Sequence, residues 1–208
     1  MALFPAFLKL GGRRCLVVGA GRVGEKKIAS LLRAGAEIRV VAPKATRRVR
    51  AWARARKIRW DARPFRASDL AGTFLVVAAT PSPGLHAEIH AQARRRGVLC
   101  NAVDDPEHCD FYYGAVVRRG ALQIAVSTEG HSPALAQRLK RKIAAEFGPD
   151  YKSWLAKIGK TRKRLFAERN LPPARRAAIL RRLASEKSFQ TFQHRSKGGR
   201  MQPRKSRK

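Results

Sequence analysis

The chain has few acidic residues, little cysteine and no long apolar run. Its three cysteines, Cys15, Cys100 and Cys109, form no CxxC pair. That excludes a disulfide framework and a zinc ribbon, and with the odd count it points to a reducing cytoplasm. No stretch approaches the roughly 18 consecutive apolar residues of a membrane span. The N-terminal MALFPAFLKL has no basic leader before its short apolar run, so no signal peptide is expected. Internal repeats, a GxSxG elbow, a P-loop and zinc-finger spacing are all missing. Acids number 14 against 46 Lys and Arg, for a net charge of +32. The excess is uneven: residues 151–208 carry 19 basic and 2 acidic side chains, a net +17. Such a field recruits anions, whether nucleic acid, an acidic surface or a small substrate bearing several carboxylates.

What is present suffices for a core. An apolar share of 44% is ordinary for a globular protein, and 208 residues hold one α/β domain plus a smaller appendage. The organising stretch is CLVVGAGRVGEKKI, residues 15–28. Leu16-Val17-Val18 reads as a strand, and Gly19, Gly21 and Gly24 have GxGxxG spacing. Ile28, Leu31 and Leu32 then share one helical face. Strand, glycine turn and helix in this order suit a pyrophosphate laid on the helix N-terminus.

The first hundred residues alternate strand and helix patterns, which predicts a parallel sheet with crossover helices. Strands are expected at Cys15–Val18, Glu37–Ala42, Lys57–Trp60, Phe74–Ala79 and Val98–Asn101, with Pro43 ending the second. The apolar run Phe74–Ala79 reads as a central strand buried on both faces. Helices are expected from about Arg22 to Ala34, over Lys44–Arg56, and through Leu85, Ile89 and Ala93 to about Arg96. Past Asp110 a hairpin is predicted around Arg119-Gly120, then a helix capped by Ser132 with Pro133 at its first position. Boundaries fall near 111 and 149. Residues 150–188 read as helical, and residues 189–208 as a basic, disordered tail.

In an open parallel sheet the ligand lies beyond the carboxyl ends of the strands. The segments expected at that edge supply the cofactor contacts: Gly19, Gly21, Arg22, Val23 and Gly24, then Ala42, Pro43 and Lys44, then Ala79 and Thr80, and finally Asn101. Asp104 follows the last strand and is the carboxylate best placed to take a proton beside a nicotinamide; adjacent Asp105 competes for that place. The acid that normally holds the adenosine ribose at the end of strand two is missing. Lys44, Arg47 and Arg48 there could meet a 2′-phosphate, so these residues alone leave NADP open beside NAD. No metal site is expected: His108-Cys109-Asp110 lacks a spaced partner set. His86, His90 and His194 read as surface or packing positions, and His131 as a capping or substrate contact.

Together these stretches resemble one family. LFPAFLKLGGRRCLVVGAGRVGEKK, VVAATPSPGLH and CNAVDDPEHCDFYYGAVVRRGALQIAVSTEGHSPALAQRLKRKI are similar to the precorrin-2 dehydrogenase/sirohydrochlorin ferrochelatase family, whose module forms the N-terminal part of siroheme synthase. The resemblance covers roughly residues 1–150. It implies a Rossmann NAD domain (1–110), a small α+β dimerisation domain (111–149) and a helical C-terminal part. It also implies NAD-dependent oxidation of precorrin-2, a tetrapyrrole with eight carboxylates, by a cytoplasmic homodimer. The family's catalytic aspartate corresponds to Asp104, and its substrate loop to Ser127, Thr128, His131 and Ser132. Thr128 stands where siroheme synthase has a phosphorylatable serine. Arg118, Arg119 and Arg138 are expected cationic helpers, and the tail a weak, nonspecific polyanion binder. No uroporphyrinogen methyltransferase activity is expected, because the chain ends before such a domain. Two alternatives follow from the same residues: a bifunctional enzyme that also inserts Fe2+ into sirohydrochlorin, and a non-enzymatic nucleotide sensor whose basic region binds nucleic acid.

Overall fold

A computed structural model describes residues 3–198, with side chains through His194. The chain divides into two compact units, Met1–Tyr113 and Gly114–Lys208. Unit 1 contains β1 (Arg14–Ala20), α1 (Arg22–Arg33), β2 (Glu37–Ala45), α2 (Arg47–Arg54), β3 (Arg59–Asp61), β4 (Leu75–Ala78), α3 (Pro83–Arg94) and β5 (Leu99–Ala102). Short 3-10 turns occupy Ala67–Leu70 and Pro106–His108.

All pairings in this sheet are parallel, in the order β3-β2-β1-β4-β5. Alternate residues of each strand face opposite sides. Cys15 and Val17 of β1 join Val40, Leu75 and Val77 against Ile28, Leu31 and Val49 of α1 and α2. Leu16 and Val18 join Val41, Val76 and Ala78 against Ile89 and Ala93 of α3. Both faces are covered, so β1 and β4 need continuous apolar runs. The expected central strand at Phe74–Ala79 is thus an interior strand, trimmed to Leu75–Ala78.

The third strand lies at Arg59–Asp61 and the fifth at Leu99–Ala102, shifted from Lys57–Trp60 and Val98–Asn101, and the boundaries around Pro43 also depart from expectation. Pro43 does not end the second strand: β2 continues to Ala45, because the register with β1 shifts between Val18 and Ala20 and a further pairing forms between Ala20 and Ala45. The following helix starts at Arg47, not Lys44, since the Thr46 hydroxyl accepts the Val49 N–H at 3.2 Å and caps it.

Unit 2 opens with an antiparallel hairpin, β6 (Ala115–Arg119) and β7 (Leu122–Val126), turning at Gly120 with φ +63°. The helices α4 (Pro133–Glu146), α5 (Asp150–Ala167), α6 (Pro173–Leu183) and α7 (Glu186–Gly198) follow. The disorder expected from residue 189 is corrected over 189–198, which lie within α7. The cause is aromatic packing: Phe189 is buried, with its ring 4.2 Å from that of Tyr151 and 4.8 Å from that of Trp154. Residues 199–208 lie outside the described residues. Arg119 is also reassigned. Its guanidinium donates to the carbonyls of Phe147 at 2.7 Å and Ala144 at 2.8 Å, closing the C-terminal end of α4 instead of facing a substrate.

Candidate functional site

In unit 1 the carboxyl ends of all five strands share one edge. Between β1 and β4 the connections leave in opposite directions, which opens the crevice where α/β sheets bind ligands. Gly19 lies in it with φ +100°, and an added Cβ would collide with the Ala79 carbonyl oxygen and lie 3.3 Å from Thr80 Cγ2. A Cβ on Gly24 would collide with the Gly19 carbonyl oxygen. These two glycines therefore let strand, helix and neighbouring loop touch backbone to backbone. Gly21 differs: a Cβ there would meet nothing within 4 Å. It begins α1 without a side-chain cap, leaving the first N–H groups of the helix, among them those of Arg22 and Val23, for an anion. An open cradle over an uncapped helix start fits a dinucleotide pyrophosphate. The residues present therefore suit such a group.

The other expected cofactor positions lie on this edge. Ala42 is buried at the end of the apolar part of β2, while Pro43 and Lys44 are exposed. Ala79 and Thr80 follow β4. Asn101 is 6% exposed and turned inward, donating to the Phe111 carbonyl at 2.8 Å and to Cys109 Sγ at 3.3 Å. Its Oδ1 is buried without a hydrogen-bond partner. Asp104 is exposed in the turn after β5, with the left-handed φ of 61°. Aspartate is among the few residues other than glycine that enter this region, as turns require.

Several residues at this edge carry no local sequence signal. Glu25 of α1 accepts the Thr46 hydroxyl at 2.7 Å and faces Arg48 at 3.5 Å, so a carboxylate does reach the end of β2, from the neighbouring helix. Lys27 is half-buried with Nζ 3.7 Å from the centre of the Tyr113 ring. Burial lowers its pKa, and the charges of Asp104 and Cys109 oppose that shift. His86, expected to be a mere packing position, is buried and bonded to Asp105. Only the three-residue spacing of Asp105 and His108 hinted at such pairing.

His108, Cys109 and Asp110 do not converge on one point. His108 bonds Asp105, Cys109 Sγ donates to the Ala102 and Asp105 carbonyls, and Asp110 accepts the Cys100 N–H. Among the described residues no three His, Cys, Asp or Glu side chains gather as a metal-holding group.

In unit 2 the four expected substrate residues form one loop between β7 and α4. Ser132 Oγ caps α4 by accepting the Leu135 N–H at 3.2 Å, with Pro133 in the first turn. The Thr128 hydroxyl accepts the Ser132 N–H at 3.3 Å and donates to the Ser132 carbonyl at 3.1 Å. Ser127 Oγ accepts the Glu129 N–H, and His131 is exposed. Glu129 and Gly130, with φ of 50° and 83°, supply the left-handed bend that closes the loop.

Two family models match the chain: one described as "Putative NAD(P)-binding" over residues 6–115, and "Sirohaem biosynthesis protein central" over residues 119–146. The chain is 41% identical over 145 residues to siroheme synthase 1 of Serratia proteamaculans, covering 70% of this chain and 30% of that protein. It is 38% identical over 143 residues to the siroheme synthase of Nitrosococcus oceani, covering 69% of this chain and 31% of that one. The siroheme synthase of Neisseria meningitidis is 40% identical over 149 residues, 72% of this chain and 31% of its own. The chain thus spans about a third of the length of these curated relatives. Its fold matches the solved structure of SirC, precorrin-2 dehydrogenase, with a TM-score of 0.77 at 24% identity, covering 93% of this chain and 98% of that one. No described helix is long and apolar enough to cross a membrane. The glycine cradle, the order of the segments and the matched models agree, and the chain belongs to the family described as "Putative NAD(P)-binding", followed by a segment of the sirohaem biosynthesis central type.

Proposed function

We propose that this chain oxidises precorrin-2 to sirohydrochlorin with NAD, as a cytoplasmic homodimer. The observation that carries the reading is Asp104, an exposed carboxylate in a left-handed turn on the same sheet edge as the Gly21 cradle. The nicotinamide, when bound, supplies the acceptor for a hydride. The protein's own residues do the rest. The N-terminus of α1 neutralises the pyrophosphate, and Gly19 and Gly24 keep the turn narrow enough for the backbone to approach it. Asp104 takes the proton that leaves the tetrapyrrole as the hydride departs, so two electrons and two hydrogens are removed in total. Lys27 holds its ammonium 3.7 Å from the centre of the Tyr113 ring, where the charge of Asp104 offsets part of the cost of burying it.

The substrate's carboxylates account for the charge. A net +32 raises the local concentration of a polyanion and speeds its capture, most strongly at low salt. In unit 2 the loop bearing Ser127, Thr128, His131 and Ser132 is assigned to one of those carboxylates, at the N-terminal end of α4. The basic C-terminal residues are assigned weak, salt-sensitive binding of polyanions.

NAD is preferred to NADP because Glu25 places a negative charge at the end of β2, where a 2′-phosphate would be repelled. The test is turnover of precorrin-2 by the purified chain with each cofactor. NAD-dependent formation of sirohydrochlorin is expected, and Asp104→Ala should lose most of the rate. A wild-type chain without dinucleotide-dependent turnover would overturn the reading; an Asp104 variant of normal rate would overturn only the residue's role. Adding Fe2+ and sirohydrochlorin without NAD asks separately about iron insertion, with siroheme above the spontaneous rate extending the activity.

A further inference from the structure

Asp105, next to the reacting carboxylate, is built into a bracket. Its Oδ2 accepts a hydrogen bond from His108 Nδ1 at 2.9 Å and another from His86 Nδ1 at 3.2 Å. The two rings come from different elements, His86 from the first turn of α3 and His108 from the 3-10 turn Pro106–His108. His86 is 5% exposed, and its Nε2 has no hydrogen-bond partner among the described residues. A bare ring nitrogen is least costly when it carries no proton, so the proton sits on Nδ1, aimed at Asp105. The main chain of Asp105 is held as well, its carbonyl accepting the Cys109 thiol at 3.3 Å and the His108 N–H at 3.2 Å. Around the bracket, His90 Nε2 lies 3.7 Å from Asp110 Oδ1, and its ring stands edge-on to His108 with centroids 5.3 Å apart. The hydrogen bond of His108, joined by that of His86, holds the Asp105 carboxyl below its ordinary pKa against the opposing effect of burial.

The preceding residue needs such support. Asp104 sits at φ 61°, a region open to aspartate but less populated than the extended and right-handed ones, so a fixed neighbour narrows its choice. We propose that Asp105 is the positioning residue of this site, holding Asp104 in its reacting orientation by accepting hydrogen bonds from His86 and His108. The inference rests on the dehydrogenase reading and deepens it. Of the two adjacent aspartates, one faces outward to react, and its neighbour anchors the turn to α3.

Because one oxygen accepts both bonds, an amide can replace the carboxylate. Asp105→Asn should therefore keep kcat within about fivefold of wild type, while Asp105→Ala should lose about thirtyfold or more, as a displaced reacting group does. The dissociation constant for NAD, measured by fluorescence titration, should change by less than about twofold in both, since the cradle lies on α1. Nitrogen NMR of the imidazoles gives a readout independent of turnover. Wild type and Asp105→Asn should show Nδ1–H on His86 and His108, and Asp105→Ala should lose it. Amide exchange at residues 104–109 should quicken about tenfold or more in Asp105→Ala alone. An Asp105→Ala variant of normal kcat, or equal losses in Asp105→Ala and Asp105→Asn, would overturn the proposal. Wild-type imidazoles carrying the proton on Nε2 would also overturn it. Absence of wild-type turnover removes the dehydrogenase reading instead, and the NMR and exchange data still decide whether the bracket exists.

Discussion

Thr46 donates its hydroxyl to the Glu25 carboxylate across 2.7 Å, joining the residue that caps α2 to the first turn of α1. The bond brings an acid to the end of β2, which itself closes in Ala42-Pro43-Lys44-Ala45. Removing it leaves Lys44, Arg47 and Arg48 as the charges around that corner. Glu25→Ala should raise the ratio of kcat/KM for NADP over NAD about tenfold, or roughly 1.4 kcal/mol. Steady-state kinetics with both cofactors measures it, and an unchanged ratio removes Glu25 from cofactor selection.

The three glycines of the turn should separate folding from binding. Gly21→Ala projects a methyl into open space and changes a helix start, so its stability cost should stay near or below about 1 kcal/mol. The same methyl occupies the pyrophosphate's place, and dinucleotide affinity should fall steeply. Gly24→Ala drives a methyl into the Gly19 carbonyl and should lower stability and affinity together. Thermal melts with and without NAD distinguish the two patterns. Equal behaviour of both variants would contradict the assigned geometry.

Lys27 carries its charge where burial penalises it. Its folded pKa lies below the ordinary lysine value, so the unfolded chain binds more protons in that window and stability rises as pH climbs through it. Lys27→Met should abolish this rise in denaturant titrations above pH 8 and leave the protein at least as stable at pH 7. An unchanged pH dependence of stability in Lys27→Met would show that the buried ammonium is not its source.

Asp69 has the opposite sign. Burial pushes its carboxyl up, but hydrogen bonds from Arg63 and the Arg66 N–H, with the nearby Arg39 charge, outweigh that and leave it below the ordinary range. Its contribution is present at neutral pH and fades as pH falls below about 4. Asp69→Asn takes one carboxylate from Arg63 and Arg39, which both keep Asp61, and should cost about 1–3 kcal/mol at pH 7. The variant's stability should then vary less than the wild type's between pH 5 and 2, as urea titrations would read. A parallel pH dependence in both proteins would exclude Asp69 as the source.

Periodicity and punctuation made most of unit 1 readable. A strand covered on both faces must be apolar at every position, as Leu75–Ala78 is, and a glycine turn between strand and helix carries its own spacing. Asp104 was legible for the same reason, since the residue after a parallel strand must emerge at the ligand edge. The helix through Phe189 was not, because its composition is that of a tail and its order comes from contact with Tyr151 and Trp154, nearly forty residues earlier.

GxGxxG therefore marks a cofactor cradle by local geometry, while the surplus of Lys and Arg says by sum only that the chain attracts anions. Which charges serve the site depended on packing: Arg119 closes a helix, Glu25 crosses to a neighbouring strand end, and His86 reaches Asp105 from 19 residues away. Backbone propensity and hydrophobic period act over a few residues and can be read along the chain. A hydrogen bond between side chains on separate elements exists only once the sheet has brought those elements together, so tertiary structure alone decides it.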